Sequence, residues 1–382
     1  MELINILKDL VKIDTRNPPG ITTEAVEYLQ RIFSSFRTKV KSKVNGKENL
    51  IVDVFRGKPT ILLTSHLDTV PSDDILLNPI IVNGKLYGRG SCDAKGCVAA
   101  ICCAVLGLDD LDIGLKVAFT SDEEVGGSNG LAFVFEKEKA DYVLIGEPTG
   151  CDSVGVLQAS VLSLNINFKG KSGHTATKLA INGAIARASK YILEKIKLFN
   201  NLYGNFSKFE NYFKNLGFHE FKVKTWHAVF NPSLIKGGIK RNVVAPSCTI
   251  YADIRFAPWI SVDEVRRMLV IDDAEFEVEG FLSPYGPLCD RVNPKSDGIM
   301  LKNLVNAIKN NSITPKAVFS LGVGDSRHVR KFGVPAFYYG PGGEDIHGEN
   351  EFVYVSELFM AVKVYKSFLK LMSESLDLTT DE

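Results

Sequence analysis

Neither charge predominates in this 382-residue chain: 45 Lys and Arg balance 45 Asp and Glu. Without a basic surplus there is no long-range attraction to nucleic acid or to an anionic membrane surface, so neither is expected as a partner. Long apolar runs are missing too, and none reaches the length that spans a bilayer. The opening stretch, Met1-Glu-Leu-Ile-Asn-Ile-Leu-Lys-Asp-Leu10, mixes acids into an amphipathic pattern and lacks the basic end and apolar run of a secretory signal. Cysteine is sparse: seven residues, an odd number, lie without paired spacing and partly inside an apolar segment (Cys102, Cys103). That usage argues against a disulfide scaffold and fits reduced thiols, so a cytoplasmic location is expected.

What the chain does contain is a repeated device, an apolar run that ends in an acid or a histidine. In Pro59-Thr-Ile-Leu-Leu-Thr-Ser-His66-Leu-Asp68 a short apolar and β-branched run reads as an interior strand with His66 at its carboxyl end. Side chains alternate along an extended segment, so His66 and Asp68 project to the same side, close enough for a carboxylate to orient an imidazole. Alone, such a pair is more often a hydrogen-bonded core histidine than a ligand. Four later segments repeat the device, delivering Asp93 through a glycine turn, Glu123 and Glu124 after 115–120, Glu147 after 142–146, and His347 after 335–346. Ligands gather beyond the carboxyl ends of the strands in open α/β sheets, so these residues are expected to converge.

The length suggests two domains. Helical spacing covers 2–14 and 22–36, interrupted at Asn17-Pro-Pro-Gly20, and strand-like runs lie at 50–55, 60–64, 115–120 and 142–146. The segment 97–108 is apolar on nearly all sides and is expected to be a buried helix. This alternation predicts an α/β catalytic domain built on a doubly wound mixed sheet. Past Pro148 the order changes to strand 161–168, helix 181–199, extended 226–235, strand 248–256, helix 262–269 and strand 275–281. That β-α-β-β-α-β series is ferredoxin-like and predicts an inserted α+β domain at 157–282. The catalytic domain is then 1–156 and 283–382, resuming with a helix at 298–309 and a strand at 317–321. An aromatic-rich stretch with Tyr203, Phe206, Phe209, Tyr212, Phe213, Phe218 and Phe221 is expected to pack on the inserted domain or against a second subunit.

Two imidazoles and three carboxylates without a thiolate suit zinc, with cobalt or manganese as alternatives, and five ligands exceed what one four-coordinate ion needs. Cys92, beside Asp93, lacks a second thiolate to join it. Two divalent ions bridged by one carboxylate are therefore expected, and such a pair makes water nucleophilic at neutral pH. Of the adjacent Glu123 and Glu124, one can ligate while the other handles protons; spacing does not say which.

The segments His66-Leu-Asp68-Thr-Val-Pro, Gly88-Arg-Gly-Ser-Cys-Asp93-Ala-Lys-Gly, Asp122-Glu-Glu124-Val-Gly, Gly146-Glu147-Pro-Thr and Gly340-Pro-Gly-Gly-Glu-Asp-Ile-His347 resemble, in order and over nearly the whole chain, the motif series of the M20 metallopeptidases. That family includes acetylornithine deacetylases, succinyl-diaminopimelate desuccinylases, aminoacylases and glutamate-type carboxypeptidases. The resemblance implies that His66 and Glu147 hold one metal, Glu124 and His347 the other, that Asp93 bridges them, that Asp68 orients His66, and that Glu123 is the general acid/base. It also implies a cis peptide after Asp93. The inserted domain resembles the family's lid and dimerisation domain. There Gly170-Lys-Ser-Gly-His174 matches the segment whose histidine polarises the scissile carbonyl, and Asn242 and Arg255 match substrate-holding positions. Lid domains of this family often pair, so a homodimer through the lid is expected, with His174 serving the partner's site.

The pattern departs at Leu157-Gln158, where desuccinylases carry arginines, and at Val323 and Gly343, where they carry threonine and asparagine; strict desuccinylase specificity is not implied. His219, His227 and His328 match no ligand position and read as structural or surface residues, and Arg255 could pair with Asp253 alone. The expected function is two-metal hydrolysis of the amide bond of an N-acyl amino acid or related amine, as in amino-acid biosynthesis. The alternatives are an M20-type carboxypeptidase or dipeptidase acting on short peptides, or a catalytically silent binding protein on the same fold.

Overall fold

The structure is a computed structural model that describes residues 2–203, 207–223, 228–284, 294–320 and 322–377. A nine-stranded mixed sheet forms the larger body. Thr60–His66 is an interior strand of it, paired in parallel with Gly114–Thr120 on one side and Tyr142–Gly146 on the other. Every residue of Thr60–His66 is buried, as a strand covered on both faces requires. Ile61 and Leu63 face one apolar cluster and Leu62 faces another, so helices cover both sides of the sheet. On the first side the helix Lys95–Leu106, apolar all round, is buried along nearly its whole length between Glu2–Lys12 and Val355–Asp377. Glu2–Lys12 contributes Leu3, Ile6, Leu7 and Leu10, the stripe expected of a surface helix. The other side carries Leu131–Lys137 and Ser326–Arg330.

A separate four-stranded sheet has the order Val229–Gly237, Ser247–Phe256, Ser160–Lys169, Glu275–Leu282, all antiparallel. With the helices Ala184–Phe199 and Val262–Leu269 it gives the β-α-β-β-α-β order that the sequence predicts. Cys248, Ile250, Ala252, Ile254 and Phe256 alternate inward onto Ala188, Tyr191, Val265 and Leu269. A third small sheet, Gly343–Glu344, Phe352–Tyr354, Lys85–Tyr87 and Ile80–Val82, joins the end of the chain to the segment that precedes Asp93. Among the described residues no helix is long and apolar enough to cross a membrane.

The aromatic stretch is a correction. The helix Ser207–Asn215 and the strand Glu220–Val223 lie within the span expected for the lid, yet the strand is the outermost of the nine, parallel to Lys316–Ser320. Phe209, Phe213 and Phe218 are buried in the larger body's core, with Phe213 at 5.4 Å from Phe319 and Phe209 at 5.3 Å from Trp259. The segment thus extends the large sheet by one strand and packs its aromatics into the adjoining core. Phe206, Trp226 and His227 lie outside the described residues.

Candidate metal centre

Each candidate ligand sits where a strand of the large sheet ends or a following helix begins. His66 is the last residue of its strand, Glu147 follows Tyr142–Gly146, and Glu123 and Glu124 open a single helical turn after Gly114–Thr120. Asp93 immediately precedes the buried helix, and its peptide bond to Ala94 is cis. His347 lies in the loop beyond Gly343–Glu344. Asp122 and His347 both take left-handed backbone conformations, with φ of 73° and 66°, a region that Asp and His enter more readily than most residues with a side chain.

Asp93 stands at the centre. One of its oxygens is 3.1 Å from His66 Nε2 and the other 3.1 Å from His347 Nε2. Glu147 Oε1 lies 3.8 Å from His66 Nε2, and Glu124 Oε2 lies 3.3 Å from His347 Nε2. Two triads result, His66–Asp93–Glu147 and Asp93–Glu124–His347, each with its ligand atoms within 4.8 Å of one another. Neither contains a cysteine. His66 Nδ1 donates to the Asp68 carbonyl at 2.9 Å, which leaves Nε2 as the free ligand atom.

The protonation of the cluster describes a site short of positive charge. Burial pushes Glu147 well above the ordinary carboxylate range and Glu123 to about 8. Burial opposes charge on His66, but contacts with Asp68 and Asp93 raise its pKa well above normal. Hydrogen bonds with Asp93 and Glu124 lift His347 to about 10. Burial works against the Asp93 carboxylate as well, yet the two imidazoles hold its pKa below normal. Glu124 Oε1 and Glu147 Oε1 are buried without a hydrogen-bond partner, a costly state for a carboxylate oxygen unless a cation faces it. The donor set therefore fits two divalent ions, one in each triad, sharing Asp93.

Asp68 meets His66 with both its carbonyl, which receives Nδ1, and its carboxylate, 3.6 Å from the same nitrogen. The carboxylate also accepts the backbone N–H of Glu123 at 3.0 Å, that of Glu124 at 3.2 Å, and Asn17 Nδ2 at 2.9 Å. Two further residues went unrecognised in the sequence. Glu351, fully buried, accepts from Arg89 Nη1 at 2.5 Å and from the backbone N–H groups of Gly90, Cys92 and Asp93 at 3.0–3.1 Å. Arg89 Nη2 donates to the carbonyls of His347 and Gly348. This pair ties the His347 loop to the Asp93 loop, 254 residues apart in sequence. A glutamate four residues after His347 and an arginine four before Asp93 were the only signals available in the sequence.

Beside the triads opens a cavity of about 940 Å³, lined by Asp93, Glu123, Glu124, Glu147 and His347 and extending past Leu157, Gln158, Phe221, Val318 and Tyr338. His174, Asn242 and Arg255 do not line it. His174 and Asn242 are exposed on the smaller domain, where His174 forms an isolated bridge with Val243. Arg255 Nε donates to Asp253 at 3.1 Å. His328 is structural, its Nε2 lying 3.0 Å from the Gly126 carbonyl, and His219 is exposed.

Residues 62–371 match the sequence profile of peptidase family M20/M25/M40. The chain belongs to that family. Among M20-type relatives it is 26% identical over 361 residues to a LysW-lysine/LysW-ornithine hydrolase of Sulfurisphaera tokodaii, covering 94% of this chain and 92% of the relative. Its fold is that of solved M20-type structures. An aminopeptidase PepT from Bacillus cereus superposes with a TM-score of 0.73 at 20% identity, covering 97% of this chain and 98% of that one. An M20 family metallo-carboxypeptidase from Sulfolobus solfataricus gives 0.70 at 20% identity, covering 98% and 100%. As an M20 hydrolase, the protein acts on amide or peptide bonds.

Proposed function

We propose that this chain is a two-metal hydrolase that releases an amino acid or related amine from its N-acyl derivative. The observation that supports it most is Asp93 facing His66 with one oxygen and His347 with the other, each pair closed by a further glutamate. In this reading His66, Asp93 and Glu147 hold one ion and Asp93, Glu124 and His347 the other, zinc being the first candidate. When bound, the ions supply Lewis acidity and make water nucleophilic at neutral pH. Glu123 is the general acid/base: its buried carboxyl takes a proton from the attacking water and returns it to the leaving nitrogen. Burial, with the nearby carboxylates of Asp325, Asp93 and Glu124 and against the charge of His66, raises the Glu123 pKa to about 8, and the positive charge of neighbouring ions would lower that value into the range where a carboxylate can accept. Asp68, through the backbone of Glu123 and Glu124, is a positioning residue.

The smaller domain would complete the site from a second copy. His174 and Asn242 share a loop cluster on that domain, away from their own chain's cavity. Ile181 and Ile239, exposed at 74% and 75%, lie close by in sequence and suit a subunit contact. His174 would then donate to the oxygen of the scissile carbonyl, and Asn242 and Arg255 would hold the substrate, the arginine at its carboxylate.

A panel on zinc-, cobalt- or manganese-loaded protein tests this reading. It includes N-acetylornithine, N-acyl lysines, since relatives are named LysW-lysine/LysW-ornithine hydrolases, and free and N-capped dipeptides. Turnover of the N-acyl amino acids is expected. Cleavage restricted to dipeptides would assign a dipeptidase or carboxypeptidase, and no turnover of any amide with both metals bound would leave a silent binding protein.

A further inference from the structure

An inserted domain needs two links to its host, and here they are the step 158–160 and the segment after Leu282. This chain has two more. After the helix Ala184–Phe199 of the smaller domain it runs through Ser207–Asn215 and Glu220–Val223, which belong to the larger body, and only then re-enters the smaller sheet at Val229–Gly237. The Ala228 N–H donates to the Leu202 carbonyl at 3.0 Å, and both residues pack in the smaller domain's core, so the excursion leaves and returns at one point. What lies between is fastened to the larger body twice over. Its strand pairs in parallel with Lys316–Ser320, Phe221 opposite Ala317 and Lys222 opposite Val318. Phe213 and Phe218, both fully buried, sit in the larger core.

The two cores meet beside the first link. Trp259, which follows the strand Ser247–Phe256 of the smaller domain, packs against both cores. Its ring lies 5.3 Å from Phe209 of the excursion and 5.9 Å from Phe319 of the larger body. Next to it, Ala257 and Pro258 line, with Leu157 and Ala159 of the link, a space of about 10 Å³, room for one water at most. A swing of the smaller domain about 158–160 must first part Trp259 from Phe209 and Phe319. It can then go only as far as the chain from Leu202 to Ser207 and from Val223 to Ala228 will span, after which the strand itself must leave Lys316–Ser320. Re-exposing a buried aromatic ring shifts such an equilibrium by roughly tenfold or more, so a domain swung away is a small minority. The excursion also reaches the site: Phe221 and Lys222 line the large cavity together with Leu282, the last residue of the smaller sheet's final strand.

We propose that the excursion 207–223 is a strap that holds the smaller domain in one orientation on its own catalytic body, so that the cavity they border is formed in advance and not assembled by a closing movement. The inference is independent of which amide is cleaved. With such a strap, the reach of His174 towards a second copy is set by how two chains dock, not by a swing of the domain that carries it.

Pulsed electron paramagnetic resonance on the full chain tests the strap. Spin labels attached through a ketone-bearing residue, which avoids the native cysteines, are placed at Asp109 on the larger body and at either Asp263 or Glu275 on the smaller domain, all exposed. Labelled chain diluted in unlabelled chain reports distances within one molecule only. Each pair should give a single narrow population with the same peak in metal-free protein, in zinc-loaded protein, and in zinc-loaded protein with added lysine and acetate. Phe209→Ala combined with Trp259→Ala should broaden it. Replacing 203–227 by a short Gly-Ser linker, which the contact between Leu202 and Ala228 permits, should broaden it further. A broad or displaced population in any wild-type state overturns the proposal, as does a folded linker variant that keeps the wild-type distances. Hydrogen exchange on the wild type decides the matter if neither variant folds. The bonded amides of Glu220–Val223 should be protected to within about tenfold of those of Lys316–Ser320, whereas protection lower by about a hundredfold would mean a strap that comes away and holds nothing.

Discussion

The carboxylate of Asp68 receives the backbone N–H of Glu123 at 3.0 Å while its second oxygen receives that of Glu124 at 3.2 Å. One buried side chain therefore fixes the turn that carries both the proposed base and a proposed ligand. An amide in its place offers a single acceptor and turns an NH2 towards the other N–H, so Asp68→Asn should displace one of the two glutamates. Loss of such a supporting contact typically costs about 10- to 100-fold in activity or metal affinity. Steady-state kinetics with elemental analysis should show that fall; a variant within twofold of wild type in both would remove Asp68 from the positioning role.

Within the glutamate pair the two roles can be separated. Glu124 Oε2 approaches His347, whereas Glu123 belongs to neither ligand triad. Glu123→Gln should therefore retain two metals per chain and lose turnover by at least about 10²-fold, because the amide keeps the size but cannot take the proton. Glu124→Gln should instead weaken one of the two ions. Equal metal loss from both variants would show that the assignments are interchanged or shared.

Away from the site, Glu138 gives a stability prediction with a definite sign. It is 6% exposed and contacts Lys116 at 2.6 Å, Lys41 at 2.7 Å and Lys39 at 3.3 Å. Burial raises its pKa, but the three lysines outweigh this and lower it from 4.5 to about 2. The folded state thus binds fewer protons than the unfolded chain between those values. The stabilisation is complete above about pH 4.5 and is lost as the pH falls towards 2. Glu138→Gln should lower the unfolding free energy by roughly 2 kcal/mol at pH 7, between the values for exposed and buried pairs. The gap to wild type should narrow in urea titrations at pH 3.5; a gap independent of pH would mean that charge is not its origin.

The strand-end logic carried far because it depends on local properties. Thr60–His66 is apolar throughout since it is interior and covered on both faces, and a histidine closing such a run has only the ligand crevice to enter. The lid's alternation was legible for the same reason: one face of Ser247–Phe256 is buried and the other is not. What escaped was long-range. Nothing near Glu220–Val223 signals that this strand leaves the inserted domain to pair with Lys316–Ser320, since its partner lies 96 residues further along the sequence. Likewise Glu351 and Arg89 look like ordinary surface charges until the small third sheet brings them together. The further contacts of the Asp68 carboxylate, to the backbone of Glu123 and Glu124, were not legible because alternation fixes which side a side chain faces, not which donors wait there.

The placement of His174 leads to the most demanding test. The residue is exposed on the smaller domain and absent from its own chain's cavity, while apolar side chains such as Ile239, at 75% exposure, stand on the same domain. If the lid pairs with a second copy and His174 donates to the partner's scissile carbonyl, its removal should cost about 10²- to 10³-fold in rate, as for other oxyanion donors. His174→Ala and Glu123→Gln should then each be nearly inactive alone. A mixed dimer of the two contains one site with an intact Glu123 and an intact His174 from opposite chains, and one site with neither. After random exchange of equal amounts, half of the dimers are mixed and one of their two sites works, so activity should recover to roughly a quarter of wild type. Sedimentation should show the dimer, and differently tagged chains should show that exchange took place. Exchange without recovery would mean that His174 acts within its own chain or does not touch substrate, and a monomer under assay conditions would remove the shared site altogether.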